Sequence, residues 1–271
     1  VITEGFTALY KGKGGIARMY DKAEAERIAA AVKGQKGEIT SLTSTKRETT
    51  PPAAYDLTEL QRDANKKYGY SAKETLSAMQ SLYEYHKVLT YPRTDSRYIT
   101  DDVADTIPER LKSLLMTPFA EAAKTLLKQK IQTKYIVNAS KVTDHHAIIP
   151  TEQRPNFAEM SAKERAIYEL VVRRFLAVLM EPFVYEETKL VFTCKGYEFH
   201  AKGKVPIKQG WKAAYGTVIS DDDDNEEDER TQSLPPLKKG QSLEVKQTKI
   251  TNGKTKPPAR YTEATLLSAM E

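Results

Sequence analysis

The 271-residue sequence is poor in cysteine, tryptophan and histidine, with one, one and four respectively, and it has no long apolar run. A single cysteine, Cys194, cannot form an internal disulfide, so a reducing cytoplasm is the expected compartment. Four histidines and one cysteine show no zinc-ligand spacing, so no metal site is expected within the chain. No stretch approaches the roughly 18 apolar residues a membrane span requires, and no signal-peptide pattern is present. Asn138-Ala139-Ser140 matches a glycosylation acceptor but lacks a secretory context. Lys11-Gly12-Lys13-Gly14-Gly15 is glycine-rich yet lacks the Gly-Lys-Ser/Thr ending of a phosphate loop, and reads as a hairpin tip.

What remains is basic and globular. Apolar residues make up 39%, which with 13 glycines suffices for a packed core. The net charge of +5 hides a stronger bias, because residues 221–229 hold eight acids and no base. Setting that stretch aside leaves about +13 on the rest, which favours a polyanion such as nucleic acid over a merely soluble lysine-rich surface. Residues 221–229 read as a solvated or disordered acidic loop with no assigned role.

Strand-like and helical textures alternate. Asp21 with Glu24 caps a helix whose inner line is Ala25, Ile28, Ala29 and Val32, ended by Gly34. Glu38 to Lys46 reads as a strand. From Pro51 the texture turns helical. Asp56 with Glu59 opens one helix, with Leu57, Leu60 and Ala64 inward and Gly69 at its end. Ser71 with Glu74 opens the next, with Leu76, Met79 and Tyr83 inward. Two capped helices around a short glycine turn form a helix–turn–helix, which suits either DNA docking or an ordinary helical hairpin. Thr100-Asp101-Asp102 opens a helix in which Pro108 predicts a kink or a fresh start. Phe119 to Lys130 reads as helical, and Ser161 with Glu164 caps the longest helix, striped by Ile167, Leu170, Val171, Phe175 and Val178. After Pro182, Thr188 to Cys194 and Tyr197 to Ala201 form a hairpin about Lys195-Gly196. Leu243 to Ile250 alternates toward a second hairpin turn at Asn252-Gly253.

The densest chemistry lies between Tyr91 and Tyr98. Pro92 pushes Tyr91 into an extended conformation, and side chains two apart on an extended chain share a face. Tyr91 and Arg93 should therefore project together, as a phenol attacking a phosphate beside a fixed guanidinium requires. On geometry alone, a loop tyrosine packed on an arginine is the competing reading. Paired histidines at His145-His146 suit donation to phosphate oxygen better than metal binding.

Four segments in order resemble the type IA DNA topoisomerases: Tyr55-Asp56-Leu57-Thr58-Glu59-Leu60-Gln61-Arg62-Asp63-Ala64-Asn65, Tyr91 to Tyr98, Thr143 to Thr151, and Pro257 to Ala264. The Tyr-Pro-Arg-Thr-Asp-Ser-Arg-Tyr wording, and His146 where other branches carry glutamate, place the resemblance in the topoisomerase III-like branch. It implies Tyr91 as nucleophile on one strand of single-stranded DNA, with a 5′-phosphotyrosine intermediate and strand passage without ATP. It implies Arg93 and His145 as its catalytic partners, and Thr94, Asp95, Ser96, Arg97 and His146 as DNA-binding residues. Mg2+ is implied for the full-length enzyme, bound by an acidic N-terminal domain that has no counterpart here, since no Asp-x-Asp lies outside 221–229. The chain is thus expected to be a monomeric piece of a larger enzyme, inactive alone.

The expected fold is α+β. Residues 1–52 and 181–257 would form a discontinuous β-rich arch, or hinge, domain. Residues 53–180 would form an inserted helical domain with a winged-helix-like helix–turn–helix, and 258–271 would start the next domain. A DNA-binding module without catalysis is the alternative, and a recombinase or relaxase fits less well because it lacks the ordered motifs.

Overall fold

The computed structural model describes residues 1–12, 19–129, 131–216, 232–255 and 257–270. The tip about Lys13 to Gly15 and the acidic stretch 221–229 lie outside them. The chain separates into two compact units. One comprises Val1–Glu48, Val184–Lys208 and the described residues of Ser220–Pro257. The other comprises Thr49–Phe183, the described residues of Gln209–Ile219, and those of Pro258–Glu271.

The first unit is a five-stranded sheet with one helix. Its strands are β1 (Leu9–Tyr10), β2 (Lys36–Thr49), β3 (Phe183–Cys194), β4 (Tyr197–Lys208) and β5 (Ser242–Glu244), in the order β1-β4-β3-β2-β5. Helix α1 (Lys22–Val32) starts at Asp21, whose carboxylate accepts from the Ala23 and Glu24 amides. It buries Ile28 and Val32 against Phe6, Ile39, Phe192 and Phe199, with Phe6 meeting Phe192 edge-on at 5.8 Å. Lys195 and Gly196, with φ of 53° and 79°, make the expected turn between β3 and β4. Only glycine fits at position 37, where a Cβ would lie 2.5 Å from the Phe192 ring. Cys194 is buried, its thiol on the Lys36 carbonyl at 3.6 Å and pushed up in pKa by that burial.

Among the described residues the second hairpin does not form. Within Leu243 to Ile250 the strand, Ser242–Glu244, reaches only Glu244 and pairs antiparallel with Lys36 to Glu38, and no strand follows Asn252-Gly253 among the described residues. Pro257 and Pro258 lack the amide that a returning strand would need to donate.

The second unit is helical: α2 (Leu57–Tyr68), α3 (Ala72–Glu84), α4 (Asp101–Asp105), α5 (Ile107–Ser113), α6 (Ala120–Lys128), α7 (Ala162–Val178) and α8 (Glu263–Met270). Asp56, Ser71 and Ser161 each accept from the amide three residues on, and at Ser71 and Ser161 the glutamate returns the bond in a capping box. Gly69, with φ of 71°, ends α2. Pro108 falls in the first turn of α5, so a fresh helix begins there. All five predicted stripe residues of α7 are buried. On α3 the inner face is Thr75, Ala78, Met79 and Leu82 rather than Leu76, Met79 and Tyr83. Tyr83 lies on the exposed side.

Two boundaries differ from the expected domains. Residues 209–216, expected to be β-rich, include a 3-10 segment, Gly210–Tyr215, that packs on α7 in the helical unit. Helix α8, expected to start a separate domain, packs on α2 through Ala264 and Arg62: the Ala264 amide donates to Asn65 Oδ1 at 3.2 Å, and Arg62 to Ser268 Oγ at 3.1 Å. No helix among the described residues is long and apolar enough to cross a membrane.

Candidate active site

Helix α3 hands the chain to the extended stretch from Val88 to Thr100. Along it burial alternates: Pro92, Thr94 and Ser96 are buried, while Arg93 and Asp95 are exposed and Tyr91 and Arg97 half-exposed. This is the two-residue period expected of an extended segment, with odd positions outward. The segment is held by a second irregular one, 143–151. Thr90 N–H donates to Ile149 O at 3.0 Å, and Ala147 N–H to Tyr98 O at 2.8 Å.

The hydroxyls of Thr94 and Ser96 complete that join. Thr94 Oγ1 donates to the His145 carbonyl at 3.0 Å, and Ser96 Oγ to the Lys141 carbonyl at 2.8 Å. Their exposures of 8% and 4% leave no free hydroxyl for a ligand. Both hydroxyls, expected among the DNA-binding groups, fasten the tyrosine segment to the histidine segment.

That fastening sets His145 beside Tyr91. Their ring centroids are 4.2 Å apart and tilted by 36°. Tyr83, on the exposed side of α3, meets Tyr91 edge-on at 5.5 Å. Among the described residues, neither the Tyr91 hydroxyl nor the Arg93 guanidinium has a hydrogen-bond or ionic partner. Both stand ready for an external group.

Arg97 is differently placed. Its Nε donates to Asp56 Oδ2 at 2.5 Å, and its Nη2 lies 3.5 Å from Glu59 Oε2, which also pairs with Arg62. Asp56 uses its other oxygen, Oδ1, to cap α2 through the Glu59 amide at 2.7 Å. One carboxylate thus joins a helix start to the tyrosine segment. The Asp56/Glu59 spacing was readable as a cap, but its second role needed Arg97 brought from 41 residues away.

His146 faces inward. Its Nδ1 lies 2.8 Å from the Ala147 carbonyl, which can only accept, so Nδ1 carries the proton and Nε2 is left as an acceptor in the neutral ring. Burial lowers its pKa, and the charges of Arg110 and His145 add to that effect against the raising influence of Ala147 and Asp102. A neutral ring of this tautomer cannot donate to phosphate. Asp95 is exposed and accepts from Thr143 Oγ1 at 3.4 Å. Two side chains not expected at the site also border it: Tyr83, read from sequence as core, and Lys141, whose ammonium lies 5.0 Å from the Tyr98 ring.

Among the described residues no three His, Cys, Asp or Glu side chains are grouped to hold a metal ion.

Comparison with known proteins follows the same lines. The sequence model of a family described as DNA topoisomerase matches residues 4–271. The chain is 49% identical over 255 residues to DNA topoisomerase 3 of Bacillus licheniformis, and 48% identical over 255 residues to that of Bacillus subtilis. Each alignment covers 94% of this chain and 35% of the relative, so the chain spans about a third of the length of these curated relatives. A structure of full-length topoisomerase I from Thermotoga maritima superposes with a TM-score of 0.72 at 25% identity, over 99% of this chain and 42% of that one. It shares the mix of helices and antiparallel sheet.

Proposed function

The chain belongs to the DNA topoisomerase family, in its type IA, topoisomerase III-like branch, and from that membership we propose that it carries the nucleophile of an enzyme that cuts and rejoins one strand of single-stranded DNA. Tyr91 Oη attacks a backbone phosphorus and forms a phosphotyrosine bond to the 5′ phosphate. The 3′ oxygen leaves as its bond to phosphorus breaks, and takes a proton. A second strand passes, and the same oxygen attacks back to expel Tyr91. One ester replaces another at each step, so ATP is not required.

The observation that carries this reading is the close Tyr91–His145 ring contact, with Arg93 exposed two residues on and without a hydrogen-bond or ionic partner among the described residues. A free phenol titrates near 10 and is a weak nucleophile at neutral pH, so a cationic surround that favours phenolate is what the chemistry needs. Arg93, with His145 when protonated, would also face the charge that grows on the phosphoryl oxygens. Arg93, Asp95, the free edge of Arg97 and His146 Nε2 are proposed to meet DNA, while Thr94 and Ser96 hold the two segments in register. The α2–α3 pair is read as the DNA-docking, winged-helix-like element, and the strand-rich unit as the arch. Mg2+ belongs in this reading to the full-length enzyme, and no step here is routed through it. The 271 residues alone are proposed to act as a monomer that binds single-stranded DNA without completing the cycle.

The test is Tyr91→Phe in the full-length protein that carries this chain. Only the attacking oxygen is lost, so binding should stay within about twofold while the covalent protein–DNA adduct on denaturing gels disappears. Adduct formed by the variant would remove Tyr91 from the mechanism. The rival reading, a docking module without catalysis, predicts no adduct from the unaltered protein.

A further inference from the structure

The expected insertion of residues 53–180 between 1–52 and 181–257 implies two connections to the strand-rich unit, near Pro51 and Pro182. There are further crossings, and at one of them, Lys208 and Gln209, β4 returns to the helical unit. Three strand roots therefore meet the helical unit, at Thr49, at Phe183 and at Gln209. In the sheet β3 lies between β2 and β4, so no ladder bond ties the end of β2 to the end of β4.

Trp211 supplies that tie. Its indole Nε1–H donates to the Thr49 carbonyl at 3.0 Å, and its backbone N–H to the Glu181 carbonyl at 2.8 Å. One residue on the β4 root thus holds the roots of both other strands. The approach is tight enough to dictate its neighbour. Gly210 has φ of 48°, and a Cβ there would lie 2.2 Å from the Pro182 carbonyl oxygen. No other residue type fits without pushing the roots apart.

The tie runs on into the core of the helical unit. Trp211 meets Tyr215 edge-on at 6.0 Å, and the Tyr215 phenol bonds Arg174 of α7. The Arg174 guanidinium lies over the Tyr55 ring at 4.2 Å and donates to Asp63 at 2.7 Å and to the Ala53 carbonyl at 3.2 Å. Burial opposes its charge, but Tyr55, Tyr215 and Asp63 outweigh that and raise its pKa. The Ala53 and Tyr55 contacts fall on the chain just after Thr49, so the β2 root is gripped twice.

We propose that Trp211 is a positioning residue for strand passage, clasping the three strand roots so that bending is confined to the strands beyond the clasp. This rests on the strand-cutting function above. A gate that opens by bending must return its nucleophile to the same place for resealing, and roots that slide independently would not achieve this. Cleavage of a short oligonucleotide needs no opening, so it should be indifferent to the clasp.

The experiment uses the full-length protein carrying this chain, with Trp211→Phe, which keeps a ring and deletes the indole donor. Gly210→Ala is the harsher companion. Two assays are read together: adduct on a single-stranded oligonucleotide, and relaxation of negatively supercoiled plasmid. The expected result is adduct within about twofold of the unaltered protein and relaxation slowed about tenfold, equivalent to about 1.4 kcal/mol on the barrier. Relaxation unchanged in Trp211→Phe overturns the proposal. So does an equal fall in both assays, which would make Trp211 part of the cleavage apparatus or of the fold at large. If Gly210→Ala fails to fold, Trp211→Phe decides alone. An unaltered protein that forms no adduct overturns the function itself, and this inference with it.

Discussion

Asp56 makes two bonds that substitution can separate. Its Oδ1 caps α2, and its Oδ2 holds Arg97 on the tyrosine segment. Replacing it with alanine removes both. A lost carboxylate cap costs about 1 kcal/mol. The ion pair falls between the exposed limit of about 0–1 kcal/mol and the buried limit of about 3–5 kcal/mol. The aspartate side chain is 8% exposed but the arginine is 35% exposed, so solvent screens the pair and roughly 1–2 kcal/mol is reasonable. Asp56→Ala should then destabilise by about 2–3 kcal/mol, a fall of roughly 4–12 °C in Tm at about 2–4 °C per kcal/mol. Asp56→Asn retains a good cap and loses only the charge, so it should recover about 1 kcal/mol of that loss. Trp211, the sole tryptophan of the sequence, lies in the same helical unit, and its fluorescence during urea unfolding supplies the readout. A double-mutant cycle with Arg97→Gln should give a coupling of about 1–2 kcal/mol. Equal destabilisation by asparagine and alanine would refute the cap as a separate contribution. A loss under about 1 kcal/mol for alanine would refute the whole account.

At the proposed reacting centre of the full-length protein, Arg93→Ala should slow cleavage of bound DNA by about 10²–10³ with little change in affinity, and His145→Ala more weakly, in single-turnover assays at saturating protein. A loss confined to affinity would count against a transition-state role. His146 makes a prediction about pH. Its folded-state pKa is lowered, so the unfolded chain binds the proton more readily. Its contribution is complete above the ordinary histidine value of about 6.5, and is lost as pH falls below that value toward the lowered one. His146→Gln should therefore flatten the decline in unfolding free energy between about pH 7 and pH 5, measured by urea titration. An unchanged slope would show that other groups govern it.

Much of the helical unit could be read directly from sequence, because cap and stripe signals act within one helix. Asp56, Ser71 and Ser161 each capped the helix expected of them. Tyr83 misled because a ring at an apolar position can meet another ring eight residues on instead of the core, and periodicity registers no such contact. The roles of Thr94 and Ser96 were hidden for a related reason. Whether a hydroxyl serves a ligand or a carbonyl depends on a second segment some 45 to 51 residues away. The hairpin at Asn252-Gly253 failed because a turn signal cannot supply the strand it needs to return to. The clasp at Trp211 had no signal beyond its being a lone tryptophan after a glycine.

Cys194, sealed behind β2 with its thiol held protonated by burial, has a practical meaning. Thiol reagents act on exposed thiolates, so the native protein presents them with an almost blank surface. Cysteines introduced at exposed positions such as Tyr85 on the helical unit and Lys195 on the strand turn can be labelled with a dye pair while Cys194 stays in place. Energy transfer between the two dyes would then follow the units as DNA is added, and the wild-type core would need no alteration to make the measurement.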